Sequence, residues 1–425
     1  MGKSFNTAVS LTAAIVNHSK RKKAIKEISK ANTENRNVIQ LGSVCEDRLI
    51  PNNTQMGNIC ISGGAEDVRN RLVIQNCHQN ISIGIPTIII HEGNHRLEYL
   101  FRHEFSNYSF MRVINSSSPY YEPVYRLDDH ELSNLIMNAA LSEMKMDASA
   151  QVYIKAVASL LRAKGIIPYL RMMETCPYTN LPMVIDQLES SGRLTVAEAD
   201  SIRNDIISCS GARPVVECFF SQLQQEADIL AWKSNLSKST SIMECTKRNG
   251  LMIIDITSCS RRLLLSLINA ELIRNAQLGR PFRIIVDGVS LKESDPLWNT
   301  LKSVTGAVAW TITCPDIYRF IGSKDGELAS WLAMTHRTII MSHGLQSSQK
   351  IAAEIGDYEY IDVAEAHAGN HNMGQFGYHF GTNTNISTSK RREPIFRSEN
   401  IENLPDDSFI LIDNFNSCIG EGRII

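Results

Sequence analysis

A glycine pair between a strand pattern and a helix pattern is the feature that most constrains this fold. The stretch from Asn58 to Arg71 reads Asn-Ile-Cys-Ile-Ser-Gly-Gly-Ala-Glu-Asp-Val-Arg-Asn-Arg. A strand that runs through glycines into a helix is the layout of a phosphate-binding loop, whose backbone N–H groups surround the phosphates. The sequence therefore predicts one strand–loop–helix unit of an α/β sheet.

The phosphate-binding chemistry of this loop is mostly missing. The pattern of a working loop requires a second glycine, a lysine and a serine or threonine. When the pattern is laid on Gly63, those three positions hold Val68, Arg69 and Asn70. Two carboxylates near the start of the helix would repel a triphosphate. We call this stretch the degenerate P-loop; its residues are Gly63, Gly64, Glu66, Asp67, Val68, Arg69 and Asn70.

Strand and helix patterns alternate over most of the chain. Continuous β-branched runs such as Ile85–Ile90 are typical of strands that are buried on both faces of a parallel sheet. Between residues 132 and 248 the patterns are helical only. The predicted organisation is a basic helical arm (1–36), the first part of an α/β domain (37–131), an all-α insertion (132–248) and the second part of the α/β domain (249–425).

Several segments together carry a resemblance to a known family. They are Asn37–Gly42, Asn58–Asn70, Ile88–Gly93, the helical block 132–248, Ile284–Asp287, Thr311–Thr313 and Lys390–Pro405. Their order resembles the coupling proteins of type IV secretion and conjugation systems, the TraG/TraD branch of the additional-strand P-loop ATPases. The resemblance implies a RecA-like P-loop NTPase sheet, mostly parallel with helices on both faces, and an all-α insertion domain. It also implies hexameric rings, contact with DNA and a membrane anchor.

The departures from the family pattern lie at the residues that carry out hydrolysis. At the Walker B strand the chain keeps Asp287, which could hold Mg²⁺, but Gly288 stands where the family has the water-orienting glutamate. The sensor strand ends at Thr313 and Cys314 where the family has glutamine. The sequence between Arg283 and Arg319 contains no arginine that could serve as the family's arginine finger.

These losses predict a pseudo-ATPase. Phosphoryl transfer depends almost entirely on positioning and charge neutralisation, so losing these groups removes most of the catalytic contributions. We expect a scaffold or adaptor that acts through protein contacts in a conjugation or secretion-type system, with no cofactor. Weak binding of ATP and Mg²⁺ through Arg69 stays open. The alternative is an atypical P-loop ATPase motor for DNA or protein transfer.

A second alternative comes from His91-Glu92-Gly93-Asn94-His95, which has the form H-E-x-x-H. On a helix, His91 and His95 would bind Zn²⁺ while Glu92 activates water, as in a zinc hydrolase. The preceding isoleucines predict a strand, however, and glycine and asparagine are poor residues for a helix interior. We expect a strand-to-helix loop in which Asn94 caps the next helix.

Composition limits the partners. The net charge of −2 does not indicate a nucleic-acid binder, although Lys390, Arg391 and Arg392 leave contact with DNA open. No apolar run is long enough for a membrane span, and the scattered cysteines predict reduced thiols, so a cytoplasmic protein is expected. Oligomerisation stays open. The Gly/Asn-rich stretch that holds His371 is predicted to be a surface loop.

Overall fold

The chain folds into two compact units. The computed structural model describes residues 13–23, 57–171, 181–226, 228–257, 261–289, 296–303, 308–374, 377–414 and 418–423. The first unit comprises Met1–Asn53, Ile59–Ala65 and Pro315–Ile425. The second unit comprises Thr54–Asn58 and Glu66–Cys314.

Strands and helices alternate through the described residues. The strands are β1 Ile59–Ser62, β2 Thr87–His91, β3 Met111–Ile114, β4 Leu251–Asp255, β5 Phe282–Asp287, β6 Val308–Cys314, β7 Arg337–Ile340, β8 Asp357–Gly374, β9 Gly377–Pro394, β10 Ser408–Asp413 and β11 Cys418–Arg423. The helices are α1 (13–23), α2 Glu66–Ser82, α3 His95–Glu104, α4 Asp129–Ala139, α5 Ala148–Ala163, α6 Leu181–Ser190, α7 Val196–Ser208, α8 Arg213–Glu226, α9 Ile242–Lys247, α10 Arg261–Gln277, α11 Pro296–Ser303, α12 Ile317–Phe320, α13 Asp325–Met334, α14 Leu345–Ile355 and α15 Ser398–Glu402.

The second unit contains a parallel sheet with strand order β6-β5-β2-β4-β3. Its registers align the carboxyl ends of four strands. His91 pairs with Asp255 and with Asp287, and Asp287 pairs with Thr313. Because ligands of open α/β sheets bind at the carboxyl ends of the strands, this edge is where a functional site is expected.

Apolar packing on this sheet explains why the isoleucine runs form strands. Ile88, Ile89 and Ile90 are each fully buried. Helices α2 and α3 cover the sheet through a core that includes Val73, Leu97 and Phe101 from the helices and apolar residues of β2, β3, β4 and β5. Burying a side chain of this size contributes about 1.5–3 kcal/mol, so the sheet is fixed firmly under the polar edge.

A helical region lies between β3 and β4. Capping boxes start α4 at Asp128 and α7 at Thr195. Buried carboxylates also join distant segments: Glu271 accepts hydrogen bonds from the Tyr121 hydroxyl (2.8 Å) and the Met243 amide (3.0 Å). The helical content of 132–248 matches the sequence prediction, while its standing as a separate domain stays a prediction.

The first unit contains a mixed sheet and a separate two-stranded ribbon. Strand β1 pairs parallel with β7, β7 pairs antiparallel with β10, and β10 pairs antiparallel with β11. A buried ion pair joins Arg337 of β7 to Asp413 of β10 (Nε–Oδ2, 3.2 Å). Strands β8 and β9 pair only with each other among the described residues.

The predicted alternation of strands and helices is confirmed, with one clear error. The predicted loop around His371 is wrong: His367 and His371 lie in β8, and His379 lies in β9. The segment Asn37–Gly42, which carries part of the resemblance, and most of the predicted arm fall outside the described residues, although 13–23 is helical. In the part of the chain that the structure describes, every helix is too short or too polar to cross a bilayer.

Candidate functional site

The glycine turn after β1 packs tightly against the segment that follows β7. Gly63 and Gly64 have φ values of 85° and 65°, which favour glycine. A Cβ at Gly63 would lie 2.5 Å from both the Ser342 carbonyl oxygen and His343 Cε1. The Gly64 amide donates to the Ser342 carbonyl at 2.9 Å. One amide of the predicted phosphate cradle is therefore bonded within the protein.

A buried serine–histidine pair supports this turn. The Ser62 hydroxyl lies 2.7 Å from Nε2 of His343, and the Ile317 amide donates to Ser62 Oγ at 2.8 Å. His343 Nδ1 lies 2.8 Å from the Met341 carbonyl, which only accepts, so Nδ1 carries the proton and Nε2 accepts from Ser62. Because Ser62 is 0% exposed, no substrate reaches its oxygen, and the pair is structural.

The charged residues at the start of α2 differ in their exposure to solvent. Glu66 and Asp67 are exposed, and Asp67 Oδ1 lies 3.5 Å from Arg96 Nε. Their carboxylates take the position at the helix N-terminus where negative charge is favourable. Arg69, at the lysine position of the pattern, is only 8% exposed. Val68 and Asn70 are buried, so the last three residues of the degenerate P-loop pack into the fold.

A largely buried network of hydrogen bonds holds the carboxylate of Asp287. Thr313 Oγ1 donates to Oδ1 of Asp287, and Asn94 Nδ2 donates to Oδ2 at 2.7 Å. The second proton of the Asn94 amide goes to Asn70 Oδ1 at 2.9 Å. Asn94 Oδ1 accepts from the Leu97 amide at 2.9 Å and thereby caps α3, as the sequence predicted. We call Asp287, Thr313, Asn94 and Asn70 the Asp287 network.

The backbone after Asp287 is also fixed. Gly288 has φ 63° and donates its amide to the Thr313 carbonyl at 2.9 Å. Each carboxylate oxygen of Asp287 already accepts a hydrogen bond, and the residue is 3% exposed. Mg²⁺ needs near-octahedral oxygen ligation and usually keeps several waters. The residues at the Walker B position therefore do not fit a nucleotide-bound Mg²⁺.

The H-E-x-x-H residues do not share a helix. His91 ends β2, Glu92 is exposed in the following bend, and His95 begins α3. The Asn94 amide donates to His91 Nδ1 at 3.1 Å, so Nε2 carries the proton and faces Glu98 Oε1 at 3.4 Å. The described residues contain no cluster of three or more His, Cys, Asp or Glu that could hold a metal ion.

Asp255 completes the polar edge next to His91. It accepts hydrogen bonds from the Gly93 amide (3.1 Å), the Thr257 amide (3.0 Å) and the Thr257 hydroxyl (2.6 Å). Burial alone would raise the pKa of Asp255, but these hydrogen bonds outweigh burial and hold the pKa below its ordinary value. Asp255 is thus a carboxylate that shapes the β2–α3 loop.

Lys390, Arg391 and Arg392 lie near the end of β9 and are exposed. Lys390 Nζ lies 2.9 Å from Glu359 Oε1, and Lys20 of α1 lies 3.2 Å from the same oxygen. Hydrogen bonds from Lys390 and Lys20 lower the pKa of Glu359. The three residues are therefore part of a strand rather than a turn, and contact with DNA through them stays a prediction.

Replacing Asn94 by alanine is expected to lower the free energy of unfolding by about 2 kcal/mol. The change removes the cap of α3 and leaves the buried carboxylate of Asp287 without one of its donors. Thr195→Ala is the matched control because Thr195 caps α7 at an exposed site without a tertiary partner in its capping box. Urea denaturation of both variants measures the difference. Equal losses would mean that the contact with Asp287 contributes nothing.

Comparison with solved structures supports the fold. No protein-family profile matches the chain, and no curated protein matches it. Among solved structures, the bacterial conjugative coupling protein TrwB without its first 70 residues is 13% identical, with a TM-score of 0.52 over 94% of this chain and 90% of that chain. Plasmid coupling protein TrwB in complex with ADP and Mg²⁺ is 12% identical, with a TM-score of 0.51 over 94% and 91%.

Identities of this size establish the fold alone. The parallel strands, the glycine turn between β1 and α2 and the helical region between β3 and β4 are the parts that the sequence had predicted. The chain is therefore similar in fold to the conjugative coupling proteins, with the RecA-like P-loop NTPase architecture that their resemblance implied.

Proposed function

We propose that this chain is a coupling-protein-like pseudo-ATPase that acts as a scaffold or adaptor through protein contacts in a conjugation or secretion-type system. The observation that carries the proposal is the occupied carboxylate of Asp287. Its two oxygens accept from Thr313 and Asn94, and the residue is almost fully buried. An acid that has become a hydrogen-bonded core residue is a poor ligand for a catalytic metal.

Three further features support loss of the reaction. The Gly64 amide is bonded to the Ser342 carbonyl, so it is not available to a phosphate in this conformation. Two exposed carboxylates, Glu66 and Asp67, stand at the start of α2, where they repel an incoming phosphate. Asn70 uses its amide to bond Asn94, where a serine or threonine hydroxyl would meet Mg²⁺ in a working loop.

TrwB, which is similar in fold to this chain, provides a comparison for the nucleotide-binding positions. TrwB is described with ADP and Mg²⁺ bound. The same architecture in this chain carries Arg69 and Asn70 in place of the lysine and hydroxyl, and Gly288 in place of the water-orienting glutamate that the resemblance implies. In this proposal the protein has lost ATP hydrolysis. It keeps the fold because the fold presents surfaces to partner proteins.

Calorimetric titration of the purified chain with ATP and Mg²⁺ tests the proposal. We expect no saturable binding tighter than about 1 mM, which corresponds to about −4 kcal/mol. Any phosphate release should be unchanged in Arg69→Ala and Asp287→Asn, because such activity would come from a contaminant. Binding in the low-micromolar range that is lost in Arg69→Ala would contradict the proposal. Turnover lost in Asp287→Asn would establish the ATPase motor instead.

A further inference from the structure

Strands β8 and β9 form a long two-stranded antiparallel ribbon. Each strand has 18 residues, and the register runs from Asp357 opposite Pro394 to Gly374 opposite Gly377. At about 3.4 Å per residue, the ribbon is roughly 60 Å long. Within the described residues no other strand pairs with either edge. Two-stranded hairpins are marginally stable in water, so a ribbon of this length gains from a further strand.

Ion pairs attach the root of the ribbon to the rest of the first unit. Glu359 of β8 receives Lys20 of α1 and Lys390 of β9 on one carboxylate oxygen. Arg21 donates to the carbonyl of Ile395, directly after β9, at 2.9 Å. These contacts fix the base of the ribbon on the first unit.

Beyond its root the ribbon lacks the residues that protect exposed edges. Natural proteins block edge pairing with lysines, other charges, prolines or bulges. The sequence from Ala366 to Ser389 contains no Asp, Glu, Lys, Arg or Pro, and the register from Asp357 to Gly374 is continuous without a bulge. The unpaired backbone groups of this segment are therefore open to pairing with another strand.

The two edges differ in what they can accept. Strand β8 carries Asp357, Glu359, Asp362 and Glu365 along its root half, so two β8 edges brought together would repel each other. Strand β9 is uncharged for thirteen residues, from Gly377 to Ser389. Strand-forming residues occupy every second position of this segment: Tyr378, Phe380, Thr382, Thr384, Ile386 and Thr388.

We propose that the β9 edge pairs antiparallel with the β9 edge of a second copy of this chain, around a two-fold axis near Asn383. The result is a four-stranded sheet shared by two copies. A neutral edge offers no charge by which an acidic or basic partner could be selected, whereas its own sequence matches it in length and polarity. Pairing centred on Asn383 leaves Lys390, Arg391 and Arg392 of each copy outside the neutral overlap. An isologous contact of this kind closes at two copies.

Sedimentation velocity of the full chain without nucleotide tests the oligomeric state. We expect a concentration-dependent dimer in the wild type, and at least a tenfold weaker dimer in the double variant Thr384→Lys and Ile386→Lys, because each copy then places two charges in the neutral overlap, opposite Thr382 and Phe380 of the other copy. Ile207→Lys is the control, since it exchanges an exposed isoleucine of α7 for lysine away from the ribbon. The control should dimerise like the wild type.

A cysteine at the axis tests the geometry. Antiparallel neighbours lie about 4.5–5.5 Å apart, within the range that a disulfide spans. Asn383→Cys should therefore form a disulfide-linked dimer on mild oxidation, in excess of the wild type, whose exposed Cys218 provides the background. A monomer at every concentration would overturn the proposal. So would an oligomer that survives the two lysines and gives no crosslink at residue 383, which would assign assembly to another surface. Neither outcome bears on ATP binding.

Discussion

Replacing Gly63 by alanine is expected to lower the free energy of unfolding by about 3–5 kcal/mol. Two costs add at this position. The φ of 85° is strained for a residue with a side chain. The new Cβ would also lie 2.5 Å from the Ser342 carbonyl oxygen and from the ring of His343. Backbone on one side and a hydrogen-bonded ring on the other leave little room for relaxation, because His343 is held by Ser62 and Met341.

Gly84→Ala separates these two costs. Gly84 has a similar φ of 74°, but an added Cβ there meets nothing within 4 Å. Its loss should be limited to backbone strain, about 1–2 kcal/mol. Urea denaturation followed by far-ultraviolet circular dichroism measures both variants. If Gly63→Ala cost no more than Gly84→Ala, the close packing of the segment 341–343 on the glycine turn would be refuted.

The large loss of stability expected for Gly63→Ala reflects the role of the glycine turn in packing. Glycines of a working phosphate loop let the backbone approach a ligand. In this chain Gly63 lets the backbone approach Ser342 and His343, and the Gly64 amide bonds the same segment. The conformational freedom of the two residues therefore serves a contact within the first unit. Asp287 in the second unit likewise makes contacts within the protein, since its carboxylate accepts hydrogen bonds from Thr313 and Asn94.

Sequence patterns predicted the parts of the fold that depend on neighbouring residues. The isoleucines of β2 and the Ile284–Asp287 run of β5 indicated strands because burial on both faces requires continuous apolar residues. Asn94 indicated a helix start because a capping side chain bonds an amide three residues further on. The losses in the degenerate P-loop could likewise be read from the spacing of its residues.

Contacts between distant residues could not be predicted in this way. Ser62 and His343 are 281 residues apart, and Asn94 and Asp287 are 193 apart, so no local pattern connects them. Asp287 could therefore be identified as an acid at a strand end, but its hydrogen-bond donors could not. The ribbon is a different case, because a local signal was present. Alternating strand formers from Tyr378 to Thr388 favour a strand, but the Gly- and Asn-rich composition of the neighbouring stretch 369–377 led to the wrong prediction of a loop there.

The buried carboxyl group of Glu122 is expected to make this protein less stable as the pH rises. Glu122 is 1% exposed and accepts hydrogen bonds from the Leu170 amide at 3.2 and 3.3 Å. Burial raises its pKa from 4.5 to about 8, with the nearby Glu271 adding to the rise; the Leu170 and Val124 amides and the charge of Arg171 oppose it only in part. The folded chain therefore holds a proton at neutral pH that the unfolded chain has released.

The direction of the effect follows from this difference. Below pH 4.5 both states carry the proton, so Glu122 adds no pH dependence there. Between pH 4.5 and about 8 the unfolded state loses its proton first, and stability falls with rising pH. Above about 8 both states are ionised and the loss levels off. Glutamine keeps a carbonyl oxygen for the Leu170 amide and never ionises, so Glu122→Gln should remove this decline.

Urea denaturation at several pH values between 5 and 8.5 measures the expected gain. Relative to the wild type, Glu122→Gln should be nearly neutral in stability at about pH 5 and more stable by on the order of 2–4 kcal/mol at about pH 8. Glu354→Gln, an exposed change on α14, is the control and should follow the wild type throughout. Parallel pH profiles for Glu122→Gln and the wild type would mean that Glu122 is ionised in the folded state, with Arg171 and the Leu170 amide compensating its burial.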